Sequence, residues 1–296
     1  MIRLVEVGPR DGLQNEKEIV PVEIKLQFIE GLAAAGYREI EATSFVSPRW
    51  VPQLADAEEV SHQLKPHDGL VYTALVPNRK GLQRALECGY RRVALFTAAS
   101  EAFSQKNTNR SIAESLTEFA PLMEDAKKAG ISVRGYVSTA WWCPYAGKIA
   151  PSEVLRVTEA LLEMGIEEVS LGDTVGLAVP SEVEETLQAM SNYREKIALH
   201  FHDTSGTALA NVLKAWQMGF SVFDSSAGGL GGCPYAPGAS GNLASEDILY
   251  LFQQMGIKTG VDLEKVARAS QQLAIHLGRT LPSRTLARLQ AGWTQR

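Results

Sequence analysis

Two histidines separated by a single residue, His200-Phe201-His202, carry the strongest chemical signal in the chain. In an extended strand, residues i and i+2 project to the same side. Both imidazoles would share one face, with Phe201 packing on the other. Two imidazoles so placed can chelate one metal ion; a pair of hydrogen-bonded structural histidines is the alternative. Asp11 offers a carboxylate to the same ion and Asn242 an amide oxygen. Two ring nitrogens with oxygen ligands and water suit octahedral Mg2+ or Mn2+ better than a thiolate zinc site, although Zn2+, Fe2+ and Co2+ also use such donors. Arg10, beside Asp11, adds a permanent cation able to stabilise an enolate or a carboxylate. It could equally form a salt bridge to Glu41 or Asp173. Those two carboxylates are then either catalytic or the groups that orient Arg10 and the histidines.

Three cysteines are present, Cys88, Cys143 and Cys233, with no C-x-x-C pair among them. That spacing excludes a zinc ribbon or a disulfide scaffold and fits a reducing, cytoplasmic setting. Cys233 lies in the glycine-rich stretch 228–241. This stretch fails the dinucleotide fingerprint, because Pro234 stands where a glycine is required. It reads either as a mobile lid or as a turn-rich connection. A thiol on a lid could hand a proton to a carbanion. Cys143, in a similar Cys-Pro-Tyr string, reads as pocket lining and Cys88 as core. His62, His67 and His276 read as surface or structural. Trp141-Trp142 would wall an acyl pocket, pack in the ordinary way or form a subunit contact.

Groups from such distant parts of the chain need a scaffold that gathers them. Apolar, β-branched runs predict strands at Leu4–Val7, Glu39–Ala42, Val71–Val76, Arg92–Phe96, Ser132–Val137, Glu168–Leu171, Ala198–Phe201 and Ser221–Asp224. Segments of helical periodicity lie between them, and several end on glycine. Eight strands alternating with helices predict a (β/α)8 TIM barrel. An open doubly wound sheet is the alternative, but Gly8-Pro9-Arg10-Asp11-Gly12 after the first strand is not a dinucleotide loop. Helices at Ser245–Met255, Asp262–Leu277 and Ser283–Ala291 would close the barrel and extend it. The expected organisation is one catalytic domain over 1–296, with 261–296 as a short C-terminal helical extension. In this fold the site lies at the carboxyl ends of the strands. Arg10, Asp11, Glu41, Asp173, His200 and His202 all fall at such ends.

Composition agrees. Of 296 residues, 45% are hydrophobic and 21% charged, which disfavours disorder. A net charge of −5 argues against nucleic acid as the main partner. No apolar run approaches the roughly 18 residues of a membrane span. Met1–Val7 lacks the apolar core of a signal peptide, so a cytoplasmic protein is expected.

The segments Val5–Glu16, Thr43–Pro48, Ser170–Thr174, His200–Thr204 and Gly229–Tyr235 together resemble the 3-hydroxy-3-methylglutaryl-CoA (HMG-CoA) lyase family, from the first strand to about Gly260. The resemblance implies retro-Claisen cleavage of HMG-CoA to acetoacetate and acetyl-CoA, in leucine degradation. It implies a metal held by Asp11, His200, His202 and Asn242, with Asp11 as candidate base. It gives Arg10 to the enolate oxygen and the final protonation to Cys233 or His200. Lys17 and Asn107 become CoA contacts. The implied partners are an acyl-CoA substrate and a second copy of the chain. Leu277–Thr280 depart from the family pattern where nucleotide contacts are expected, and Trp141, Trp142 and Ser205 depart near the acyl pocket, which leaves open a longer or branched 3-hydroxy-3-alkylglutaryl-CoA. A Claisen-type synthase would need an accessory region for which the chain has no room. A metal-dependent hydrolase would carry its His-x-His pair on the first strand, and a non-catalytic binding protein would not need this set of ionisable groups.

Overall fold

The computed structural model describes residues 2–232 and 241–292. Eight parallel strands form where the β-branched runs lie: β1 (Arg3–Glu6), β2 (Glu39–Ser44), β3 (Val71–Leu75), β4 (Arg92–Ala98), β5 (Ser132–Ser138), β6 (Glu168–Asp173), β7 (Ile197–Phe201) and β8 (Val222–Ser225). Each pairs with its neighbours in sequence, and β1 closes the ring on β8, with Arg3 opposite Val222 and Glu6 opposite Ser225. This is the TIM barrel read from the sequence.

The helices are α1 (Val22–Ala34), α2 (Ala57–Gln63), α3 (Arg79–Glu87), α4 (Glu101–Thr108), α5 (Ile112–Ala129), α6 (Pro151–Glu163), α7 (Pro180–Ala189), α8 (Ala208–Gln217), α9 (Ser245–Gln254), α10 (Leu263–Leu277) and α11 (Arg284–Gln290). Their ends follow local chemistry. The Ser111 hydroxyl accepts from the Glu114 amide while Glu114 accepts from the Ser111 amide, and Gly130 ends α5 at φ +66°. Apolar side chains on the outer strand faces, such as Leu4, Ile40, Val93, Val169 and Phe223, are buried against the helices.

Inside the barrel the layers differ. Val5, Val7, Ala198 and Val222 form a small apolar cluster. At the amino ends of the strands, Arg3, Glu39, Arg92 and Glu168 form an ionic ring. Glu39 meets Arg3 at 2.6 Å and Arg92 at 2.9 Å; Glu168 pairs with Arg3 and meets Arg92 at 3.3 Å.

The C-terminal extension folds back onto the barrel. A Cβ on Gly31 of α1 would come within 2.9 Å of Ala269 Cβ on α10. The Asp247 carboxylate accepts from the amides of Arg284 and Thr285 and from the Ser283 hydroxyl, which seats α11 on α9. A two-stranded hairpin, Trp142–Cys143 with Gly147–Lys148, follows β5 and is too short to show any periodicity in sequence. Among the described residues no helix is long and apolar enough to cross a membrane.

Candidate active site

The first strand feeds directly into a single π turn, Gly8–Gly12, in which the amides of Asp11 and Gly12 both bond to Val7 O. The turn inserts an extra residue where the chain leaves the barrel and aims Arg10 and Asp11 back over the mouth. Behind it, the buried Glu6 carboxylate accepts from the amides of Gly8 (2.8 Å) and Ala227 (2.9 Å) and from the Ser245 hydroxyl (2.7 Å). Glu6 thereby joins the loop that carries Asp11 to the loop that leads toward Asn242. Burial pushes its carboxyl up to about 7 against these donors.

His200 and His202 project from β7 and its end, with Nε2 facing Nε2 at 3.2 Å. Phe201 turns outward, as expected, and stacks on Trp141 at 5.4 Å between centroids. An isolated antiparallel bridge pairs His202 with Asn242, supported by Leu243 N to Phe201 O and Asp203 N to Gly241 O. The Asn242 amide then donates to Asp11 Oδ2 at 2.9 Å and to Leu230 O at 3.0 Å. Asp11 Oδ2 lies 3.8 Å from His200 Nε2. One donor atom each from Asp11, His200 and His202 falls within 4.8 Å of the other two.

This donor set fits a divalent cation. Two ring nitrogens pointing at each other repel unless a proton or cation lies between them. Asn242 Oδ1 and His202 Nδ1 make no well-aligned hydrogen bond, although the two side chains interact, and a poorly paired buried acceptor is costly. The electrostatics agree. Burial alone would raise Asp11, but Arg10 and then the two histidines hold it down at about 2. Burial and the neighbouring His200 push His202 down to about 4, which leaves a neutral imidazole. Burial also disfavours charge on His200, but Asp224 outweighs it and draws the ring upward.

Arg10 is buried and bonds to both Glu41 and Asp11, with its guanidinium 5.5 Å from the centre of the Tyr136 ring. Burial opposes its charge; Asp11 and Glu41 restore it. Glu41 sits where β2 slips by one residue against β3, leaving Ala42 unpaired. Asp173 goes elsewhere. Its carboxylate accepts from the amides of Gly176, Leu177 and Ala178, so it shapes the loop after β6, and burial raises it to about 6. Lys17 is exposed on the loop after β1, and Asn107 is on the exposed face of α4 after β4. Both rise from the same end of the barrel. Cys233, the expected proton donor, lies outside the described residues.

Cys143 is buried and accepts from the Ser100 hydroxyl at 3.0 Å; Cys88 is half-buried at the end of α3 and packs against the core. Trp141 lies in the layer outside β7, and the Trp142 indole donates to Glu182 of α7 at 3.0 Å. In this structure their contacts are those of ordinary packing. Ser205 lines a cavity of about 380 Å³ that also reaches Asn242 and Arg284.

Four residues that sequence reasoning missed complete the site from below. His200 Nδ1 lies 3.2 Å from Asp224 Oδ2, which also accepts from the Ser170 hydroxyl at 2.8 Å. Arg134 pairs with Asp224, and Tyr136 donates to Glu41. Polar residues at inward strand positions were the available signal.

Fold and site together define a class: a (β/α)8 enzyme whose mouth joins a divalent-metal donor set to a fixed guanidinium. The chain belongs to the HMGL-like family, whose model matches residues 1–273. It is 52% identical to the mitochondrial hydroxymethylglutaryl-CoA lyase of Bos taurus, over 96% of this chain and 88% of that one. It is 49% identical to the 3-hydroxy-3-isohexenylglutaryl-CoA/hydroxymethylglutaryl-CoA lyase of Pseudomonas aeruginosa, over 98% and 97%. The structure is similar to the crystal structure of the HMG-CoA lyase of Bacillus subtilis, with a TM-score of 0.96, 49% identity and 98% of each chain covered.

Proposed function

We propose that this carbon–carbon lyase cleaves (S)-3-hydroxy-3-methylglutaryl-CoA to acetoacetate and acetyl-CoA, using Mg2+ or Mn2+. The observation that carries the reading is the convergence of Asp11, His200 and His202 beside a buried Arg10 at the barrel mouth, in a chain of this family. Asp11, His200, His202 and Asn242 would hold the ion, which supplies Lewis-acid polarisation of the substrate hydroxyl and carboxylate.

In the reaction the tertiary hydroxyl loses its proton, and its oxygen becomes the ketone of acetoacetate. The bond between the carbinol carbon and the thioester methylene breaks. Its electron pair passes to the thioester as an enolate, and a proton returned to that carbon gives acetyl-CoA. The roles of this chain follow from charge. Arg10 keeps a permanent positive charge in a buried setting, where it stabilises enolate oxygen most strongly. Its contacts to Glu41 and Asp11 fix its position before substrate arrives. Asp11 is held ionised and, as the carboxylate beside the ion, is assigned the hydroxyl proton. Cys233 is assigned the final protonation, with His200 as the other donor. Glu41 and Asp173 act by holding, the first on Arg10 and the second on the loop after β6.

Lys17 and Asn107 are assigned to the CoA moiety, on loops that share the barrel mouth. A second copy of the chain, a cytoplasmic setting and a place in leucine degradation complete the reading. The Pseudomonas aeruginosa relative, named for two substrates, favours one variant: a longer 3-hydroxy-3-alkylglutaryl-CoA as a further substrate.

The test is to incubate purified, chelator-treated protein with HMG-CoA, with and without Mn2+, and to assay acetoacetate. Product that depends on metal is expected. No product from metal-loaded protein, or equal product without metal, overturns the assignment. The isohexenyl substrate, run in parallel, decides the second reading.

A further inference from the structure

Arg134 lies in the middle of β5 with none of its side chain exposed. A buried guanidinium is costly unless its donors are matched. Here it faces three groups. Nη2 donates to Asp224 Oδ1 at 2.5 Å, and Nη1 donates to the Tyr136 hydroxyl at 3.0 Å. Nε forms an ion pair with Glu168 Oε1 at 3.0 Å, without hydrogen-bond alignment. Its Cζ also lies 5.0 Å from the centre of the Tyr136 ring.

Two arms leave this residue and end at different parts of the site. On one, Asp224 receives His200 Nδ1, so that His200 Nε2 faces Asp11 and His202. On the other, Tyr136 donates to one oxygen of Glu41, and Arg10 Nε donates to the other. The first arm orients a metal-binding histidine. The second orients the guanidinium assigned to the enolate. The two arms run through different residues and meet only at the mouth, where Arg10 pairs with Asp11 and the Tyr136 ring lies edge-on to His200 at 6.1 Å.

We infer that Arg134 is a positioning residue that sets the His200 ligand and the Arg10 cation through two separable arms. The geometry explains why arginine is needed. A planar guanidinium presents its two terminal nitrogens in one fixed fork, so a single group can hold an acidic and a phenolic partner at a set angle. A lysine ammonium would carry the charge without the fork. The inference rests on the metal reading of Asp11, His200 and His202, and its test separates the two.

Mn2+ affinity is measured by titration with the ion's electron paramagnetic resonance signal, and kcat and KM are measured on the same samples. Wild-type protein that binds no Mn2+ removes the metal reading and this inference with it. If wild type binds, Asp224→Asn should weaken Mn2+ binding by about 10–100-fold. Tyr136→Phe should leave Mn2+ affinity within about twofold and lower kcat by about tenfold, at constant KM. Arg134→Met should do both, and Arg134→Lys should fail to restore both arms together. The Asp224→Asn/Tyr136→Phe double variant should show additive losses in kcat. Arg134→Met can fail to fold, and the two near-isosteric variants then carry the test. Wild-type Mn2+ affinity in Asp224→Asn, or an equal loss of Mn2+ affinity in Tyr136→Phe, overturns the two-arm assignment.

Discussion

The two ends of the barrel interior use similar residues in opposite ways. At the amino end, Arg3, Glu39, Arg92 and Glu168 form a ring in which Glu39 faces two guanidinium groups and Glu168 three, Arg134 being the third; Thr73 adds a hydrogen bond to Glu39. At the carboxyl end, Arg10, Asp11, Glu41, His200, His202 and Asn242 leave atoms unmatched. The Nε2 atoms of His200 and His202 have at most one proton between them at 3.2 Å, and Asn242 Oδ1 and His202 Nδ1 make no well-aligned hydrogen bond. The lower set is saturated and the upper set is not. Since an unmade buried hydrogen bond costs free energy, an unsaturated cluster is retained where something else supplies the missing partner. Charge in a barrel core therefore does not by itself mark a site. Poor pairing among several ligating groups that converge on one point does, whereas single poorly paired atoms such as Thr97 Oγ1 and Ser270 Oγ lie elsewhere in the molecule.

The largest contrast should come from His202→Ala. Loss of a direct ligand should lower kcat by more than the roughly 10–100-fold typical of groups behind a ligand. The metal-free variant should melt no lower than metal-free wild type, because His202 opposes His200 there. A clear drop in its melting temperature would show the upper cluster to be structural. The lower ring should behave inversely. Glu39→Gln should cost about 3 kcal/mol, seen in chemical denaturation, because Arg3 and Arg92 lose a shared partner. Its kcat at 25 °C should match wild type.

Glu6 tests the rule from a third position, since it is saturated yet lies at the upper end. Its folded pKa of about 7 exceeds the ordinary 4.5, so the folded state binds its proton more tightly than the unfolded chain does. That contribution is complete below pH 4.5 and is lost as pH rises to about 7. The loss is on the order of 3 kcal/mol. Glu6→Gln should flatten the fall in stability between pH 5 and pH 7.5, measured by denaturant midpoints. An unchanged slope would place the titration elsewhere.

Mn2+ at a hundred times its dissociation constant should stabilise wild type by about 2.7 kcal/mol and leave His202→Ala much less affected. Equal stabilisation of both would put the ion at another site. The smallest effect belongs to Trp142→Phe. It removes one half-buried hydrogen bond to Glu182, costs about 1 kcal/mol, and should leave kcat/KM for HMG-CoA unchanged. A changed substrate preference in that variant would return the indole to the acyl pocket.

The strands were legible because each is a short β-branched run set off by a helix and a glycine. The rim residues were legible because strand ends are where this fold keeps its chemistry. The interior was not. Arg134, Ser170 and Asp224 lie on three different strands, and their partnership depends on the register of a closed barrel. A sequence shows each as one polar residue in an apolar run. Trp141 was ambiguous for a related reason. Thr139, at φ +55° with its amide bonded to Thr174, turns the chain where β5 ends, and the next indole is directed behind β7 instead of over the mouth. Backbone reversals of that kind have no periodicity to betray them.

The bond from Ala227 to Glu6 spans 221 residues and sits at the seam where β1 meets β8. During synthesis Asp11 leaves the ribosome almost two hundred residues ahead of its nearest potential co-ligands, His200 and His202. No chelating pocket can exist in the nascent chain until the last strand closes the seam. An ion held by these residues would therefore meet a preformed cage, not a loose chain offering imidazoles one at a time.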